Sequence, residues 1–350
     1  MLTVAAATQA IQAARPAFDP ETVPIDAAVG RVLQQSGVAE RDQPPFDRVM
    51  MDGIAIRYEE FASGTRKFAI QSTQQAGDPA QSLEAGHAIE IMTGASLPEG
   101  ADCIVPVERI SVTDGSAEIR PDYEAEARQF IHPRGSDHPA GTELLRPGSR
   151  IAAADIAVIA SAGLPEVNVS RRPSIHVIST GNELVPAGQT IEDHQIRMSN
   201  GPAVIAMLKE HGYSDCSHDH LVDDLGVLRE RIAKHLDEAD VLILSGGVSM
   251  GKADYIPRVL DELGVDVVFH RISQRPGKPM WFGVGKQKQV VVALPGNPVS
   301  TLVCCRQDVI PALENASGAA PGTPQFATLS QIVVFIPQLT CCLPTRLVSN

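Results

Sequence analysis

The sequence predicts a multidomain protein with a doubly wound, mostly parallel α/β domain, a mostly β domain, a helical connector and a truncated C-terminal β segment. Its 350 residues are enough for two or three domains. In residues 24–148, many prolines and glycines lie between short β-type runs. This pattern is typical of a β domain. After residue 171, apolar strand-like runs alternate with helix-like segments, and this alternation predicts a parallel sheet with helices on both faces.

The composition argues against nucleic-acid and membrane partners. A formal net charge of -13 is unfavourable for binding a duplex, and aromatic residues are only 4% of the chain, too few for base-stacking surfaces. No apolar run approaches the roughly 20 residues of a membrane helix, and residues 1–16 lack the pattern of a signal peptide. The six cysteines form no C-x-x-C motif. We therefore expect a cytoplasmic protein in a reducing compartment.

Two alanine-rich helices are predicted to form the connector, which takes residues 1–23 and 149–170. The first covers 3–15 and ends at Pro16, and the second covers 151–163. The mostly β domain between them, 24–148, is predicted to contain strands at 52–57, 67–72, 88–92, 103–107, 110–113 and 117–120. Asp114 and Gly115 are a hairpin turn signal between the last two strands.

The α/β domain is predicted over 171–315. Its strand candidates are 174–179, 242–244, 265–269 and 290–294, and its helix candidates are 200–211, 225–236, 253–263 and 299–315. In open sheets of this class, ligands bind beyond the carboxyl ends of the strands. The candidate ligand-binding loops are therefore 180–185, 222–224, 245–254 and 295–300.

The remaining segment, 316–350, holds two further strand candidates, at 331–336 and 339–343. Two strands do not form an independently stable unit. The segment is therefore predicted to be the beginning of an incomplete C-terminal β domain.

The glycine turn after the most apolar strand is a candidate phosphate site. Ser245, Gly246 and Gly247 allow the backbone to approach a ligand, and the helix that Asp254 is predicted to open adds the positive end of a dipole. The turn narrowly misses the nucleoside-triphosphatase motif, because Ala253 stands where a hydroxyl residue should bind magnesium. A turn that serves only the chain geometry is the plainer alternative.

Other loops of the predicted sheet carry charged residues. Glu183 directly follows a strand, and Asp223 and Asp224 precede a helix, which either of them could instead cap. Arg275 and Lys278 fix two cations on a stiff loop that suits phosphate. The turn of residues 295–298, Pro-Gly-Asn-Pro, is rigid and opens a helix.

The β domain adds three polar residues in turns, Asp52, Thr93 and Asp137, each of which taken alone is more often a turn residue than a catalyst. His218 and His220 share one face if their segment is extended and could ligate a metal, although the sequence offers no third ligand beside them.

These residues belong to motifs that carry a family resemblance. The motifs are PPFDRVMMDGIAI (44–56), IMTGASLPEGADCIVPVE (91–108), RGSDHPAGTELL (134–145), ISTGNELV (178–185), ILSGGVSMGKADY (243–255), RPGKPMWFG (275–283) and ALPGNPVS (293–300). Their identity and order resemble the molybdopterin molybdenumtransferase family, which includes bacterial MoeA and the E domain of gephyrin. The resemblance covers roughly residues 1–315.

The resemblance implies an elongated homodimer that inserts molybdate into adenylylated molybdopterin, releases AMP and uses Mg²⁺. It implies an active cleft between the α/β domain of one subunit and the β domain of the other. Carried over by motif, the implied catalytic residues are Asp52, Thr93, Asp137, Glu183 and Asp254. Asp254 together with a second carboxylate, Glu183 or Asp223, is predicted to hold magnesium, and Asp224 stays an alternative to Asp223. The implied substrate-binding residues are Ser245, Gly246, Gly247, Ser249, Arg275, Lys278, Pro295 and Pro298.

The chain departs from the family pattern at Val49 and Ile54, where the family usually has a serine and an aromatic residue. The family also continues into a complete small β domain, of which the segment after residue 325 resembles only the opening. Two alternatives to a molybdenum insertase therefore stay open at this point. One is a molybdopterin adenylyltransferase, which the α/β domain alone also resembles. The other is a non-catalytic protein that binds molybdopterin or acts as a scaffold.

Overall fold

The computed structural model describes residues 1–14, 17–247, 255–323, 326–335, 338–343 and 345–346. Contacts within the chain group its residues into two compact units. Unit 1 consists of Met1–Ser36, Leu145–Ala157 and Leu164–Asn350, and unit 2 consists of Gly37–Leu144 and Val158–Gly163. The division into four domains that the sequence predicts stays a prediction.

The helices of the described residues are α1 Val4–Ala14, α2 Tyr58–Ala62, α3 Ala153–Ser161, α4 Asn200–Glu210, α5 Leu225–Glu238, α6 Ile256–Glu262, α7 Pro298–Cys304 and α8 Ile310–Ala316, with a π-helical turn at Cys305–Val309. Every helix in this part of the chain is too short or too polar to span a bilayer.

The strands are β1 Pro20–Pro24, β2 Gly37–Val38, β3 Arg48–Val49, β4 Gly53–Ile56, β5 Lys67–Gln74, β6 His87–Ile91, β7 Cys103–Pro106, β8 Ile110–Thr113, β9 Ser116–Ile119, β10 Ile131–His132, β11 Glu143–Leu145, β12 Glu166–Ser170, β13 Ile175–Thr180, β14 Leu184–Val185, β15 Ile196–Arg197, β16 Cys216–Leu221, β17 Val241–Ser245, β18 Asp266–His270, β19 Gln274–Arg275, β20 Trp281–Val284, β21 Val290–Leu294 and β22 Thr340–Cys341.

Unit 1 is built around a six-stranded mixed sheet in the order β16-β13-β17-β21-β20-β18. The pairs β16–β13, β13–β17 and β17–β21 are parallel, whereas β20 is antiparallel to both of its neighbours. The apolar residues of β17 alternate between the two faces. Val241 and Ile243 join the core cluster that contains α1, α4 and α8, and Leu242 and Leu244 join the cluster that contains α5 and α6. Helices therefore cover both faces, as the alternating sequence pattern predicts.

Two strands of this sheet have no counterpart in the sequence-based prediction. The edge strand β16 has the sequence CSHDHL, which is polar because an edge strand buries little of its surface. The short strand β20 follows the 275–280 loop and contains Gly283, which weakens a strand signal. The helix predicted over 299–315 forms as α7, the π-helical turn and α8.

Unit 2 contains a second six-stranded sheet, in the order β7-β4-β6-β5-β9-β8, in which only the β5–β6 pair is parallel among the described strands. The side chains of β4 alternate between two apolar clusters, with Ile54 in one and Ala55 in the other. The two positions that depart from the family pattern, Val49 and Ile54, are both buried in these clusters. Asp114 and Gly115 have φ angles of 50° and 72°, which confirms the hairpin turn.

The prediction of a strand at 331–336 is wrong for the residues that the structure describes there, 331–335, which have no strand conformation. Ile332 is 95% exposed, so apolar character in this segment does not reflect burial in a sheet. The second predicted strand, 339–343, forms in part as β22, which pairs in parallel with β19 of unit 1. Residue 336 lies outside the described residues.

Among the described residues, the core of unit 1 contains one carboxyl group, that of Asp308 in the π-helical turn. Its side chain is 3% exposed and borders an apolar pocket lined by Ile11, Phe18, Met280 and Leu313. Neither carboxylate oxygen accepts a hydrogen bond of normal geometry within the described part of the chain. Burial raises the pKa of Asp308 to about 7, and the nearby Gln274 amide offsets only part of this effect.

Asp308→Asn is expected to change how stability depends on pH. Because the folded pKa of about 7 exceeds the unfolded value of 3.8, the folded state holds a proton that the unfolded state releases. The free energy of unfolding therefore falls as pH rises from about 4 to 7. The variant removes this loss, which amounts to at most about 4 kcal/mol, so its melting temperature should exceed that of the parent at pH 8 and match it near pH 4. Asp237→Asn, at an exposed position on α5, is the control. If the difference in melting temperature between the parent and Asp308→Asn were the same at pH 4 and pH 8, the prediction would be contradicted.

Candidate functional site

The predicted site loops of unit 1 lie at one rim of its sheet. Strands β13, β16, β17 and β21 are parallel, so their carboxyl ends meet at the same rim. Strand β18 is antiparallel to β20, which is itself antiparallel to β21, so β18 also ends at this rim. The loops that follow these five strands therefore share one edge of the sheet, which is called the carboxyl rim below. It is the edge at which open α/β sheets bind ligands.

The glycine turn follows β17 at the centre of the carboxyl rim. Gly246 has a φ of 104°, and a Cβ there would lie 2.7 Å from the Thr180 carbonyl oxygen. Gly247 has a φ of 64°, and a Cβ there would lie 2.8 Å from Ile256 Cγ1. Both positions therefore require glycine, and the turn packs directly against the end of β13. The Thr180 hydroxyl beside it is buried without a hydrogen-bond partner in the described residues.

The loop of residues 295–298 lies next to this turn. The Gly246 N–H donates to the Leu294 carbonyl oxygen at 3.3 Å, and the Asn297 side chain caps α7 by accepting from the Ser300 N–H. Asn200 connects the neighbouring elements, because its amide nitrogen donates to Ser245 Oγ at 3.0 Å and to the Gly296 carbonyl oxygen at 2.8 Å. The structure therefore brings Ser245, Gly246, Gly247, Pro295 and Pro298 together.

These elements border a pocket with about 330 Å³ of empty space. Its lining comes from four strands (β13, β14, β15 and β17), the segment that leads into α4, and the 295–298 loop: Ser179, Leu184, Ile196, Arg197, Met198, Ser199, Asn200, Ser245, Gly296 and Pro298.

The acidic residues of the carboxyl rim follow the neighbouring strands β13 and β16. The Glu183 carboxylate folds back against Gly181, where a Cβ would meet it at 2.5 Å. The Asp223 N–H donates to Asn182 Oδ1 at 3.0 Å, so the loops that carry Glu183 and Asp223 are linked. Asp224 is instead the N-cap of α5, since its carboxylate accepts from the Val227 N–H at 2.9 Å.

The basic loop at the carboxyl rim follows β18. Its Gly277 is buried against α7, where a Cβ would lie 2.4 Å from Cys304 Sγ, and this packing fixes the backbone between Arg275 and Lys278. Both of these side chains are exposed. The two cations therefore extend into solvent from a firmly packed loop.

Two predicted site residues, Ser249 and Asp254, lie outside the described residues. Their assignments stay predictions, as does the start of the helix that was predicted to begin near Asp254.

Unit 2 brings Asp52 and Thr93 together. Asp52 Oδ1 accepts from the Thr93 N–H and from the Thr93 hydroxyl, each at 2.6 Å. The Thr93 hydroxyl, which has the larger effect, and the Thr93 N–H hold the pKa of Asp52 below its ordinary value. Asp52 and Thr93 are both exposed. The turn thus presents an ionised carboxylate whose orientation is fixed by its neighbour.

Asp137 belongs to a second polar chain of unit 2. Arg48 donates to His132 Nδ1 at 3.0 Å, which leaves His132 Nε2 to donate to Asp137 Oδ1 at 2.9 Å. Asp42 holds the loop that carries Asp137 through the Ala140 N–H, at 2.9 Å, and the Arg134 side chain, at 2.7 Å. Both hydrogen bonds lower the pKa of Asp42, and the bond from the Ala140 N–H has the larger effect.

Sequence reasoning missed several residues that organise these sites. Asn200 was predicted only as a helix start, but a polar side chain at the start of a helix on the carboxyl rim is a signal for such a link. Arg48 and His132 were missed because they are far apart in sequence and meet through the pairing of β3 with β10. The metal alternative at His218 and His220 is not favoured, since their Nε2 atoms contact Ser179 Oγ and the Gly181 carbonyl oxygen.

Comparisons with known proteins match almost the whole chain. Residues 2–163 match the family model of the MoeA N-terminal region (domain I and II), and residues 176–315 match that of a probable molybdopterin binding domain. A molybdopterin molybdenumtransferase from Synechocystis sp. is 39% identical over 99% of this chain and 87% of its own length. One from Nostoc sp. is 33% identical over 87% of this chain and 71% of its own length. The crystal structure of a molybdopterin biosynthesis moeA protein from Pyrococcus horikoshii superposes with a TM-score of 0.77 and 31% identity, covering 91% of this chain and 80% of that one.

Thr93→Val is expected to raise the pKa of Asp52, because it removes the hydroxyl donor and leaves the backbone N–H in place. Thr93→Ser keeps the hydroxyl and should keep the pKa low. An NMR titration of the Asp52 carboxyl carbon measures both effects. An unchanged Asp52 pKa in Thr93→Val would show that the hydroxyl does not stabilise the carboxylate.

Proposed function

The chain belongs to the molybdopterin molybdenumtransferase family, and from this premise we propose that it transfers molybdate into adenylylated molybdopterin and releases AMP. The observation that carries the proposal is the convergence of five loops at the carboxyl rim of unit 1. These loops combine a glycine turn whose backbone a ligand can approach closely, two exposed cations and two carboxylates. A polyanionic substrate that binds with a metal ion can use all three.

The phosphates of the substrate are assigned to the glycine turn and the basic loop. At a net charge of -13 the protein repels anions at long range, so a phosphate must be held by local groups. Gly246 and Gly247 let the phosphates approach the backbone, while Arg275 and Lys278 supply charge-assisted hydrogen bonds. Asn200 keeps the Ser245 hydroxyl in place beside them.

Glu183 and Asp223 are assigned to Mg²⁺, together with Asp254. The donor set fits this ion, because Mg²⁺ prefers oxygen ligands and the two described carboxylates belong to loops joined by the Asp223 N–H bond to Asn182. When bound, the ion supplies positive charge that neutralises the phosphoanhydride oxygens as the bond to AMP breaks. Asp224 has a separate structural role as the α5 cap.

The residues of unit 2 are assigned to molybdate and its surroundings. Thr93 is proposed to position molybdate through its hydroxyl. Asp52, ionised because of its hydrogen bonds to Thr93, orients a water molecule or binds a second cation. Asp137, held by His132, is proposed to assist from the same domain. We further propose that the protein works in the cytoplasm as a homodimer with a shared active site.

The direct test is whether the purified protein releases AMP from adenylylated molybdopterin only when molybdate is supplied. Molybdate-dependent release supports the insertase. Pyrophosphate formation from molybdopterin and ATP would instead identify an adenylyltransferase. Tight binding of adenylylated molybdopterin without any AMP release would identify a non-catalytic binding protein. Either of these last two results overturns the proposal.

Asp223→Asn and Asp224→Asn form a matched pair for the metal assignment. Loss of a ligand carboxylate should raise the Mg²⁺ concentration for half-maximal AMP release in Asp223→Asn by about tenfold or more. Asp224→Asn should leave this concentration unchanged, because asparagine also caps helices well. An equal response of the two variants, measured by Mg²⁺ titration of the rate, would contradict the assignment.

Mixing two inactive variants tests the shared active site of the homodimer. We expect Asp52→Ala and Lys278→Ala each to be inactive when purified alone. If each site takes these residues from different protomers, a refolded equal mixture should regain about a quarter of the parent activity through heterodimers with one intact site. Lys209→Ala, an exposed change on α4, is the active control. No recovery in a mixture shown to contain heterodimers would contradict the shared site.

A further inference from the structure

The opposite rim of the unit 1 sheet carries a cluster of potential metal ligands that plays no part in the proposed transfer. His176 is the second residue of β13, and His235 and Glu238 lie one helical turn apart near the end of α5. One ligand atom from each residue lies within 4.8 Å of those of the other two. His235 is 9% exposed, His176 is half-buried and Glu238 is exposed, so a metal could enter from the Glu238 side.

The two imidazole rings face each other through the same ring nitrogen. His176 Nδ1 and His235 Nδ1 are 2.9 Å apart, and the rings are nearly perpendicular, at 89°. Two nitrogens bound to one tetrahedral Zn²⁺ are roughly 3.3 Å apart, given Zn–N bonds of about 2.0–2.1 Å. Metal binding would therefore need the two nitrogens to move a few tenths of an ångström further apart and the rings to turn until both lone pairs meet at one point.

A second layer of contacts orients His235 for this role. His235 Nε2 lies 2.9 Å from Asp219 Oδ2, and Arg231 contacts the same oxygen at 2.5 Å. Because Asp219 accepts the Nε2 proton, His235 Nδ1 keeps its lone pair. This carboxylate–histidine arrangement is the one that commonly supports histidine ligands in zinc sites.

His176 must change tautomer for both lone pairs to point at one ion. In the metal-free contact, its Nδ1–H donates to the lone pair of His235 Nδ1. When the metal binds, that proton leaves Nδ1 and Nε2 carries one instead, facing Ser174 Oγ at 3.5 Å. The rings stay neutral overall, so no proton is gained or lost.

From this geometry we propose that His176, His235 and Glu238 form a binding site for a divalent transition metal of the zinc class. Two imidazoles and one carboxylate suit Zn²⁺, whereas Mg²⁺ prefers oxygen ligands only. The site ties the end of α5 to the start of β13, and it lies at the rim away from the loops assigned to phosphate and Mg²⁺. It is independent of the proposed transferase activity.

Zn²⁺ titration of chelator-treated full-length protein by calorimetry tests the site. We expect one Zn²⁺ per chain and a rise in melting temperature on binding, since a ligand of the folded state stabilises it. Co²⁺ added in place of Zn²⁺ should give the visible absorption bands of a site with nitrogen ligands. Absence of Zn²⁺ binding to the parent protein would overturn the proposal.

Variants separate this site from adventitious binding. His235→Ala should abolish binding, and Glu238→Gln, an exposed change that preserves the fold, should weaken it by about tenfold or more. His194→Ala removes an exposed histidine 3.5 Å from Glu192, and Cys341→Ser removes an exposed thiol. Both controls should bind as the parent does. Unchanged affinity in Glu238→Gln, or loss of binding in either control, would overturn the proposal even if His235→Ala failed to fold.

Discussion

The parallel pairing of the central strands is the constraint on which the unit 1 site depends. The residues of β17 are all buried between β13 and β21, and the register sets Ser245 opposite both Ser179 and Leu294. Because the three strands end together, the loops after them must share one edge. The glycine turn can follow β17 only because Gly246 tolerates a positive φ and a backbone contact with Thr180. A side chain at that position would separate the turn from the strand beside it.

An acidic protein can bind a polyanion only where its own charge is arranged locally. Here the carboxylates and cations of the carboxyl rim stand on different loops, with Glu183 and Asp223 after β13 and β16, and Arg275 and Lys278 after β18. This separation would suit a substrate whose phosphates contact the cations, with the carboxylates available to hold a metal ion that would supply further positive charge. Because Gly277 packs against Cys304, the backbone that carries Arg275 and Lys278 is held in place, although both side chains are exposed.

The sequence predicted the buried elements well and the exposed ones poorly, for physical reasons. Strands β17 and β21 were found because burial on both faces leaves a continuous apolar run. Strand β16 was missed because an edge strand of sequence CSHDHL shows no such run. The strand predicted at 331–336 is absent from its described part, 331–335, where apolar residues such as Ile332 are exposed, so apolar character there does not indicate burial. Motif and strand order predict the candidate site residues, but only the structure shows that Asp224 caps α5. The contacts of Asn200 and the Arg48–His132–Asp137 chain depend on tertiary pairing.

Loops far apart in sequence are proposed to hold one set of phosphates at the carboxyl rim. A crystal structure of the protein with adenylylated molybdopterin bound tests this proposal most directly, through the positions of the phosphorus atoms. We expect phosphate oxygens within hydrogen-bond distance of the Gly246–Gly247 backbone and of the Lys278 ammonium group. Phosphates found at the opposite rim of the sheet, or bound without contact to either loop, would contradict it.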